Sequence, residues 1–191
     1  MQEQNPALAT RVTLTEGELL VNAQRQAEAM TLYDQALQRE PDNNELLYAR
    51  ALLAEKMDKL DILERDLRAI LKRDPENALA LNALGYTLAD RTTRFAEAEQ
   101  LIKHALVLLP NDPAVLDSMG WVQFRLGHHA EALKYLRQAY EINDDAEIAA
   151  HLVEVLWASG DQAGARRLGK KALKTDPDNK ALKNAMQRIE P

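Results

Sequence analysis

Apolar residues recur along this chain at helical spacing, and small residues and prolines interrupt the pattern at regular intervals. The segment ALALNALGYTLAD begins at Ala78, and a similar segment, AVLDSMGWVQFRLG, begins at Ala114. Each apolar-periodic stretch is about 14 residues long, which is typical of a helix in a globular protein. The pattern therefore predicts an all-α chain made of short helices.

The prolines that close these stretches are almost equally spaced. Pro41, Pro75 and Pro110 follow one another at intervals of 34 and 35 residues, and steps of 34 and 33 lead through Asp144 to Pro177. A proline ends a helix because it lacks the N–H for the i to i−4 hydrogen bond and restricts the residue before it. The spacing predicts a repeated unit of two helices.

Five such units fit the chain. Their predicted bounds are about 10–43, 44–77, 78–112, 113–145 and 146–178. Residues 1–9 are predicted to be an N-terminal extension, and residues 179–191 a last helix with a polar side that caps the stack. Small residues hold equivalent positions in several units and should let paired helices approach closely; examples are Gly17, Gly85, Gly120, Ala98, Ala132 and Ala165.

A helix-turn-helix unit of this length, with these small residues and a closing proline, resembles the tetratricopeptide repeat. The segment AEALKYLRQAYEIND, which begins at Ala130, is similar to the second helix of that repeat. The resemblance implies a right-handed superhelical α-solenoid of about five helix pairs plus a C-terminal capping helix. It also implies a non-enzymatic scaffold for protein–protein interactions.

The resemblance further implies which side chains line a concave, protein-binding groove, since the first helices of the pairs face it. The predicted groove residues are Tyr48, Leu52, Asn82, Tyr86, Asp90, Asp117, Trp121, Phe124, Arg125, Glu154 and Trp157, with Glu45, Glu55 and Glu147 beside them. Asn82 and Asp117 are expected to hold the backbone of an extended peptide. Alternatively, Trp121, Phe124 and Trp157 fill the core between repeats, because aromatic residues at helical spacing are usually core.

Charge and composition narrow the class of partner. The formal net charge is -6 and the pI is about 5.3, which disfavours nucleic acid as a partner. The groove positions are mostly acidic or neutral, so we expect a neutral or basic, partly apolar protein segment. The chain contains no cysteine, which excludes disulfides, thiolate metal sites and a cysteine nucleophile.

Candidate chemistry is sparse, and we predict no catalytic residue, no metal site and no cofactor. The segment GARRLGKK, which begins at Gly164, has Lys171 where a phosphate-binding loop needs Ser or Thr, and it falls in a predicted helix. None of the four histidines stands four residues from another, as a helical zinc site requires, so all four are predicted to be solvated surface or turn residues.

Segments between about residues 78 and 165 resemble one group of tetratricopeptide proteins in particular. ALNALGYTLADRTTRFAEAEQLI, PNDPAVLDSMGWVQFRLG and HLVEVLWASGDQAGA are similar to the C-terminal half of outer-membrane tetratricopeptide lipoproteins of Gram-negative bacteria. In Pseudomonas such a lipoprotein is the adaptor of a periplasmic carboxyl-terminal processing protease, which removes peptidoglycan hydrolases. The resemblance implies these partners and an outer-membrane-anchored, periplasmic location for a longer protein.

Two alternatives stay open. The first is a general cytoplasmic tetratricopeptide scaffold, because the N-terminal sequence MQEQNPALAT lacks the basic start and apolar core of a signal peptide. The chain is then cytosolic, or else a mature fragment that carries an added Met1. The second is a module that pairs with itself through its exposed end repeats. The longest apolar run, Ala105 to Leu109, is too short to span a membrane.

Overall fold

The computed structural model describes residues 6–189, and all regular structure in this range is α-helical, so the all-α class is confirmed. The eleven helices of this range are α1 (Pro6–Asn22), α2 (Gln26–Arg39), α3 (Asn44–Lys56), α4 (Leu60–Arg73), α5 (Ala78–Arg91), α6 (Phe95–Leu108), α7 (Pro113–Arg125), α8 (His129–Ile142), α9 (Ala146–Ala158), α10 (Gln162–Thr175) and α11 (Lys180–Ile189). Within residues 6–189, no helix combines the length and apolar character that crossing a bilayer requires.

The ends of the chain fall only partly within the described range. Of the predicted extension 1–9, residues 6–9 form the start of α1, and residues 1–5 lie outside the described residues. The predicted last helix is present as α11, whereas residues 190–191 lie outside. The chain divides into two compact units between Ala80 and Leu81.

Each unit is assembled from sequential helices joined by short turns, which make neighbouring helices antiparallel. In unit 1, α1 packs on α2 and α3 packs on α4. In unit 2, α7 packs on α8 and α9 packs on α10, and α11 covers α9.

At two of the repeat boundaries, a proline follows the end of one helix and a residue two positions later caps the next helix. Asn43, two residues after Pro41, accepts hydrogen bonds from the backbone N–H groups of Glu45 and Leu46. Asp112, two residues after Pro110, caps α7 in the same way. A side chain that satisfies the free N–H groups of the first turn stabilises a helix by about 1 kcal/mol. The repeated proline therefore marks a stop signal and a start signal in succession.

Two of the repeated glycines permit close contact between paired helices. A Cβ atom added to Gly85 would lie 2.6 Å from the side chain of Ile102, and one added to Gly120 would lie 2.5 Å from that of Leu136. Ile102 and Leu136 come from the second helix of each pair and are fully buried. The small residues at these positions therefore have the packing role that the sequence predicted.

The core of unit 2 joins side chains from four helices. Leu136 of α8, Val153 of α9, Ala165 of α10 and Leu182 of α11 are all fully buried in one cluster. Phe124 and Trp157 pack against this cluster while keeping part of their surface exposed. The first helices α7 and α9 thus contribute to the core with one side and keep part of their aromatic surface exposed.

Candidate protein-binding faces

Unit 1 carries an apolar cleft at one of the predicted groove residues. Leu52 of α3 lines it together with Leu14 and Val21 of α1, and Tyr33 of α2 also contributes. The cleft has a volume of about 320 Å³, and its polar lining includes Glu18 and Lys56. The cleft can accept an apolar side chain of a partner. Glu18 and Lys56 can then interact with polar groups of the partner beside that side chain.

The other predicted groove residue of unit 1, Tyr48, is half-buried on α3. Burial raises the pKa of its hydroxyl above the ordinary value, and the nearby carboxylate of Glu55 raises it further. The phenol therefore stays protonated and can donate a hydrogen bond throughout the physiological pH range.

Five side chains on the first helices of unit 2 come together in a group that we call the His151 cluster. Its members are Tyr86 and Asp90 of α5, Asp117 and Trp121 of α7, and His151 of α9. Four of the five were predicted as groove residues, and His151 was not. The cluster links three successive first helices through polar and ring contacts.

His151 and Asp117 form a buried pair. The Nδ1 atom of His151 lies 2.8 Å and 3.0 Å from the two carboxylate oxygens of Asp117. The side chains are only 14% and 11% exposed. The carboxylate of Asp117 is therefore engaged within the unit, and its role in holding the backbone of a bound peptide stays a prediction.

The surroundings of His151 favour its charged form. Burial alone would lower the pKa of the imidazole, but the charge of Asp117 and its hydrogen bond raise it. Glu154 and Asp90 add to the effect, and the pKa lies above its ordinary value as a result. The Tyr86 hydroxyl lies 3.4 Å from the other ring nitrogen, Nε2.

Trp121 belongs to the packed interior of unit 2. It is 6% exposed, its ring stacks on that of His151 with centroids 4.3 Å apart, and its Nε1 donates to Asp90 over 3.2 Å. This burial favours the core alternative for Trp121. Truncating it would leave a cavity, so Trp121→Ala would confuse loss of binding with loss of folding.

The remaining predicted groove residues of unit 2 are half-buried, and most of them have partners within the unit. Phe124 packs on Trp121, with ring centroids 5.4 Å apart. Arg125 donates to the backbone carbonyl of Asp90 and lies over the Phe95 ring. The other two are held by arginines: Arg188 donates to Glu154, and Arg166 lies over Trp157.

Asn82 differs from these residues. Among the described residues, its Oδ1 is the buried side-chain polar atom that lacks a hydrogen-bond partner. Buried acceptors are almost always satisfied, because an unpaired one loses its hydrogen bond to water. Asn82 lies one turn before Tyr86 on α5, so this unpaired acceptor is beside the His151 cluster. Because the atom is buried, it can meet a donor from outside only after its side chain moves.

The expected solvation of the histidines is confirmed at two positions and wrong at a third. His104 and His128 are exposed, as predicted, and His129 is half-buried against Phe124. His151 is buried. The sequence does carry a sign of this: Asn82, Asp117 and His151 stand 35 and 34 residues apart and share one repeat position, so their first helices bring these side chains into one row.

The described residues contain no group of three or more His, Asp or Glu side chains that could hold a metal ion. The segment GARRLGKK lies inside α10, as predicted, and so does not form a phosphate-binding loop. Unit 1 presents a cleft, and unit 2 presents a polar cluster with an unpaired acceptor. Side chains displayed on helix faces in this way are typical of helical repeat modules that bind other proteins.

Family models identify the repeats. Two models described as tetratricopeptide repeat match the chain, one over residues 14–61 and 64–113 and the other over residues 123–189. The chain belongs to the tetratricopeptide repeat family.

A similar protein of known sequence supports this assignment. The tetratricopeptide repeat-containing protein PA4667 of Pseudomonas aeruginosa is 49% identical over 153 residues, which are 80% of this chain and 26% of that protein. The chain thus spans about a quarter of that relative's length.

Solved structures share the fold at low sequence identity. TTC0263, a tetratricopeptide protein of Thermus thermophilus, superposes with a TM-score of 0.81 at 23% identity, covering 94% of this chain and 97% of that one. PilF of Pseudomonas aeruginosa has a TM-score of 0.72 at 19% identity, covering 98% and 93%. At such identities the likeness establishes the fold alone.

Proposed function

We propose that this chain is a non-enzymatic scaffold that binds a protein segment on the first helices of its repeats. The observation that carries the proposal is the cleft of unit 1, because it is concave and combines apolar lining residues such as Leu52 with the charged groups of Glu18 and Lys56. A partner side chain that fills such a depression contributes more to affinity than contacts on a flat surface. Glu18 and Lys56 in its lining would fix the orientation of that segment.

Asn82 supports the same proposal in unit 2. Its Oδ1 is buried and has no hydrogen-bond partner among the described residues. A backbone N–H of a bound peptide would satisfy it once a change of the Asn82 rotamer brings Oδ1 to the surface. Side-chain amides of this kind can read an extended backbone without regard to sequence.

We further propose that the scaffold is an adaptor that presents peptidoglycan hydrolases to a periplasmic carboxyl-terminal processing protease. This assignment is supported by the resemblance of residues 78–165 to outer-membrane tetratricopeptide lipoproteins and by the 49% identity to a Pseudomonas tetratricopeptide protein. On this proposal the longer protein acts in the periplasm, anchored to the outer membrane. A tagged copy of the longer protein would then be recovered in the outer-membrane fraction of lysed cells and not in the cytoplasmic fraction.

The decisive experiment measures binding of the purified chain to a purified carboxyl-terminal processing protease by calorimetry. Leu52→Asp places a charge in the apolar cleft and should weaken binding at least tenfold if the protease uses unit 1. Asn82→Ala removes the unpaired acceptor and should weaken binding several-fold if the segment crosses α5.

Matched controls are available on other helices. Val107→Asp puts the same charge at an apolar residue that is 78% exposed on α6, and Asn184→Ala removes an exposed amide from α11. Neither should change affinity. If the wild-type chain does not bind the protease, the adaptor proposal is wrong. If it binds and all four variants bind equally well, the cleft and Asn82 are not the binding surface.

A further inference from the structure

The outer side of α10 carries a row of basic side chains, which we call the α10 stripe. Its four members are exposed, and they are Arg167, Lys170, Lys171 and Lys174. Successive steps of three, one and three residues place them on one face of the helix. Three of the four belong to the segment GARRLGKK, whose charges a phosphate-binding loop does not explain because the segment is helical.

The packing of α10 fixes the direction in which the α10 stripe points. Ala165, Gly169 and Ala172 are buried on the opposite face, and a Cβ atom added to Gly169 would meet the side chain of Met186 in α11. The helix packs on α9 before it and on α11 after it. The α10 stripe therefore lies on the side of the repeat stack and does not form its open end.

Two other second helices balance exposed positive charges within the helix itself. Arg68 of α4 pairs with Glu64, and Lys103 of α6 pairs with Glu99, in each case with the acidic residue four positions earlier. This order of charges stabilises a helix. By contrast, α10 contains five basic residues and no acidic one, so the same arrangement cannot form there.

The positive charges of the α10 stripe are poorly compensated by its neighbours. Arg167, Lys171 and Lys174 form no ion pair with another described residue. The ammonium group of Lys171 instead lies 5.8 Å from the ring centroid of Tyr140 on α8. Like charges three and four residues apart on a helix destabilise it. The stripe is thus an unfavourable pattern that a bound anionic group would relieve.

The size of the α10 stripe favours a short anionic partner. From Arg167 to Lys174 it extends roughly 10 Å along the helix, about one Debye length at physiological ionic strength. Exposed Glu131 and Glu141 lie on the adjacent helix α8, and the chain as a whole has a net charge of -6. A bilayer or a long polyanion would extend over such carboxylates and be repelled, whereas a short acidic peptide segment can cover the stripe alone.

We propose that the α10 stripe is a docking surface for a short segment of a partner protein that is rich in Asp and Glu. The guanidinium and ammonium groups of the stripe donate charge-assisted hydrogen bonds to the carboxylates of that segment. This surface goes beyond the proposed scaffold function, because it lies on a second helix and selects acidic segments. The first helices, whose exposed charges are mostly acidic or neutral, select the opposite charge.

Binding of fluorescein-labelled octaglutamate to the whole chain, followed by fluorescence anisotropy at low ionic strength, tests this proposal. The wild-type chain should bind the peptide, and added salt should weaken the binding. The triple variant Arg167→Gln, Lys171→Gln, Lys174→Gln should bind the peptide at least tenfold more weakly. A wild-type chain that does not bind octaglutamate would overturn the proposal.

A second triple variant, Arg11→Gln, Arg39→Gln, Lys59→Gln, is the matched control. It removes three exposed positive charges from other parts of the chain, so its net charge equals that of the stripe variant. The control should bind octaglutamate as tightly as the wild-type chain does. An equal loss of affinity in both triple variants would show that net charge determines binding, and the α10 stripe would not be the docking surface.

The single variant Arg167→Glu separates binding from folding. A glutamate at position 167 stands three residues before Lys170 and four before Lys171, so it should relieve the repulsion and raise the urea midpoint of unit 2. The same variant should bind octaglutamate roughly tenfold more weakly, because it puts a negative charge in the stripe. A variant that binds the peptide as tightly as wild type, or whose urea midpoint falls, would contradict the proposal.

Vesicles of phosphatidylglycerol test whether the stripe prefers a lipid surface to an acidic peptide. At the ionic strength at which octaglutamate binds, the wild-type chain should stay in the supernatant when the vesicles are sedimented. Cosedimentation of the wild-type chain that is lost in the stripe triple variant would assign the α10 stripe to an anionic bilayer, and it would overturn the proposal of a protein segment.

Discussion

At the scale of single residues, His151 organises one face of unit 2 although its sequence neighbourhood gives no hint of a partner. Its pair, Asp117, is 34 residues earlier, and Tyr86 is 65 residues earlier. Repeat periodicity could place Asp117 and His151 in the same row. It could not show that their side chains meet, since that depends on the rotamers of both residues and on the stacking of Trp121 against the imidazole. The expectation of a solvated histidine failed for this reason.

The His151–Asp117 pair makes the stability of unit 2 depend on pH. The pKa of His151 is raised in the folded chain, so its contribution is fully present below the unfolded value near 6.5 and is lost as pH rises through the folded value. Urea unfolding at pH 6 and pH 9 should therefore show a larger difference between wild type and His151→Gln at pH 6. Both tryptophans lie in unit 2, so their fluorescence reports its unfolding.

His104→Gln provides the control for this measurement, because His104 is exposed on α6. This substitution should change the free energy of unfolding only slightly, and by the same amount at both pH values. A His151→Gln variant whose deficit is the same at pH 6 and pH 9 would show that the pair is not charged in the folded chain.

At the scale of helices, a buried arginine ties three elements of unit 1 together. Arg50 of α3 donates through Nε and Nη2 to the two carboxylate oxygens of Asp66 on α4, over 2.7 Å and 2.9 Å. Its Nη1 donates to Asp34 of α2 over 2.7 Å. Asp66 is 1% exposed, and the Arg50 side chain is 13% exposed. Unit 1 thus uses a two-pronged ion pair between its helices, in addition to apolar packing.

Removing one member of this network should be costly. Asp66→Ala leaves the Arg50 guanidinium buried with only Asp34 as a partner, and we expect a loss of about 3 kcal/mol in the free energy of unfolding. Urea unfolding followed by far-ultraviolet circular dichroism measures it. Glu28→Ala, which breaks an exposed ion pair with Arg25 on the same unit, should leave the transition unchanged. Equal effects of the two substitutions would contradict a structural role for the buried network.

Helix positions were predictable because their causes are local. Proline ends a helix and Asn or Asp caps the next one: α3 begins at Asn44, just after Asn43, and α7 begins at Pro113, just after Asp112. Contacts between helices were harder to predict from the sequence. The network around Arg50 joins residues 16 positions away on either side, and no spacing rule distinguishes it from the many solvated charges of the chain.

At the scale of the whole chain, α11 completes the core of unit 2. It buries Leu182, Ala185, Met186 and Ile189 against the preceding pair of helices, and its other side is polar and exposed. A helix of this kind covers the apolar face of the pair before it and presents a wettable surface to solvent, which is the role of a capping helix in a repeat array.

The closing role of α11 predicts a specific loss of stability. Leu182 is fully buried in the core of unit 2, so Leu182→Ala should cost about 2 to 5 kcal/mol through lost burial and the cavity that remains. The shift should be visible in the tryptophan fluorescence transition, because Trp157 packs against the same core. Gln187→Ala, on the exposed side of α11, should change the unfolding free energy by less than about 0.5 kcal/mol. A Leu182→Ala variant as stable as Gln187→Ala would mean that the stability of unit 2 does not depend on the packing of α11.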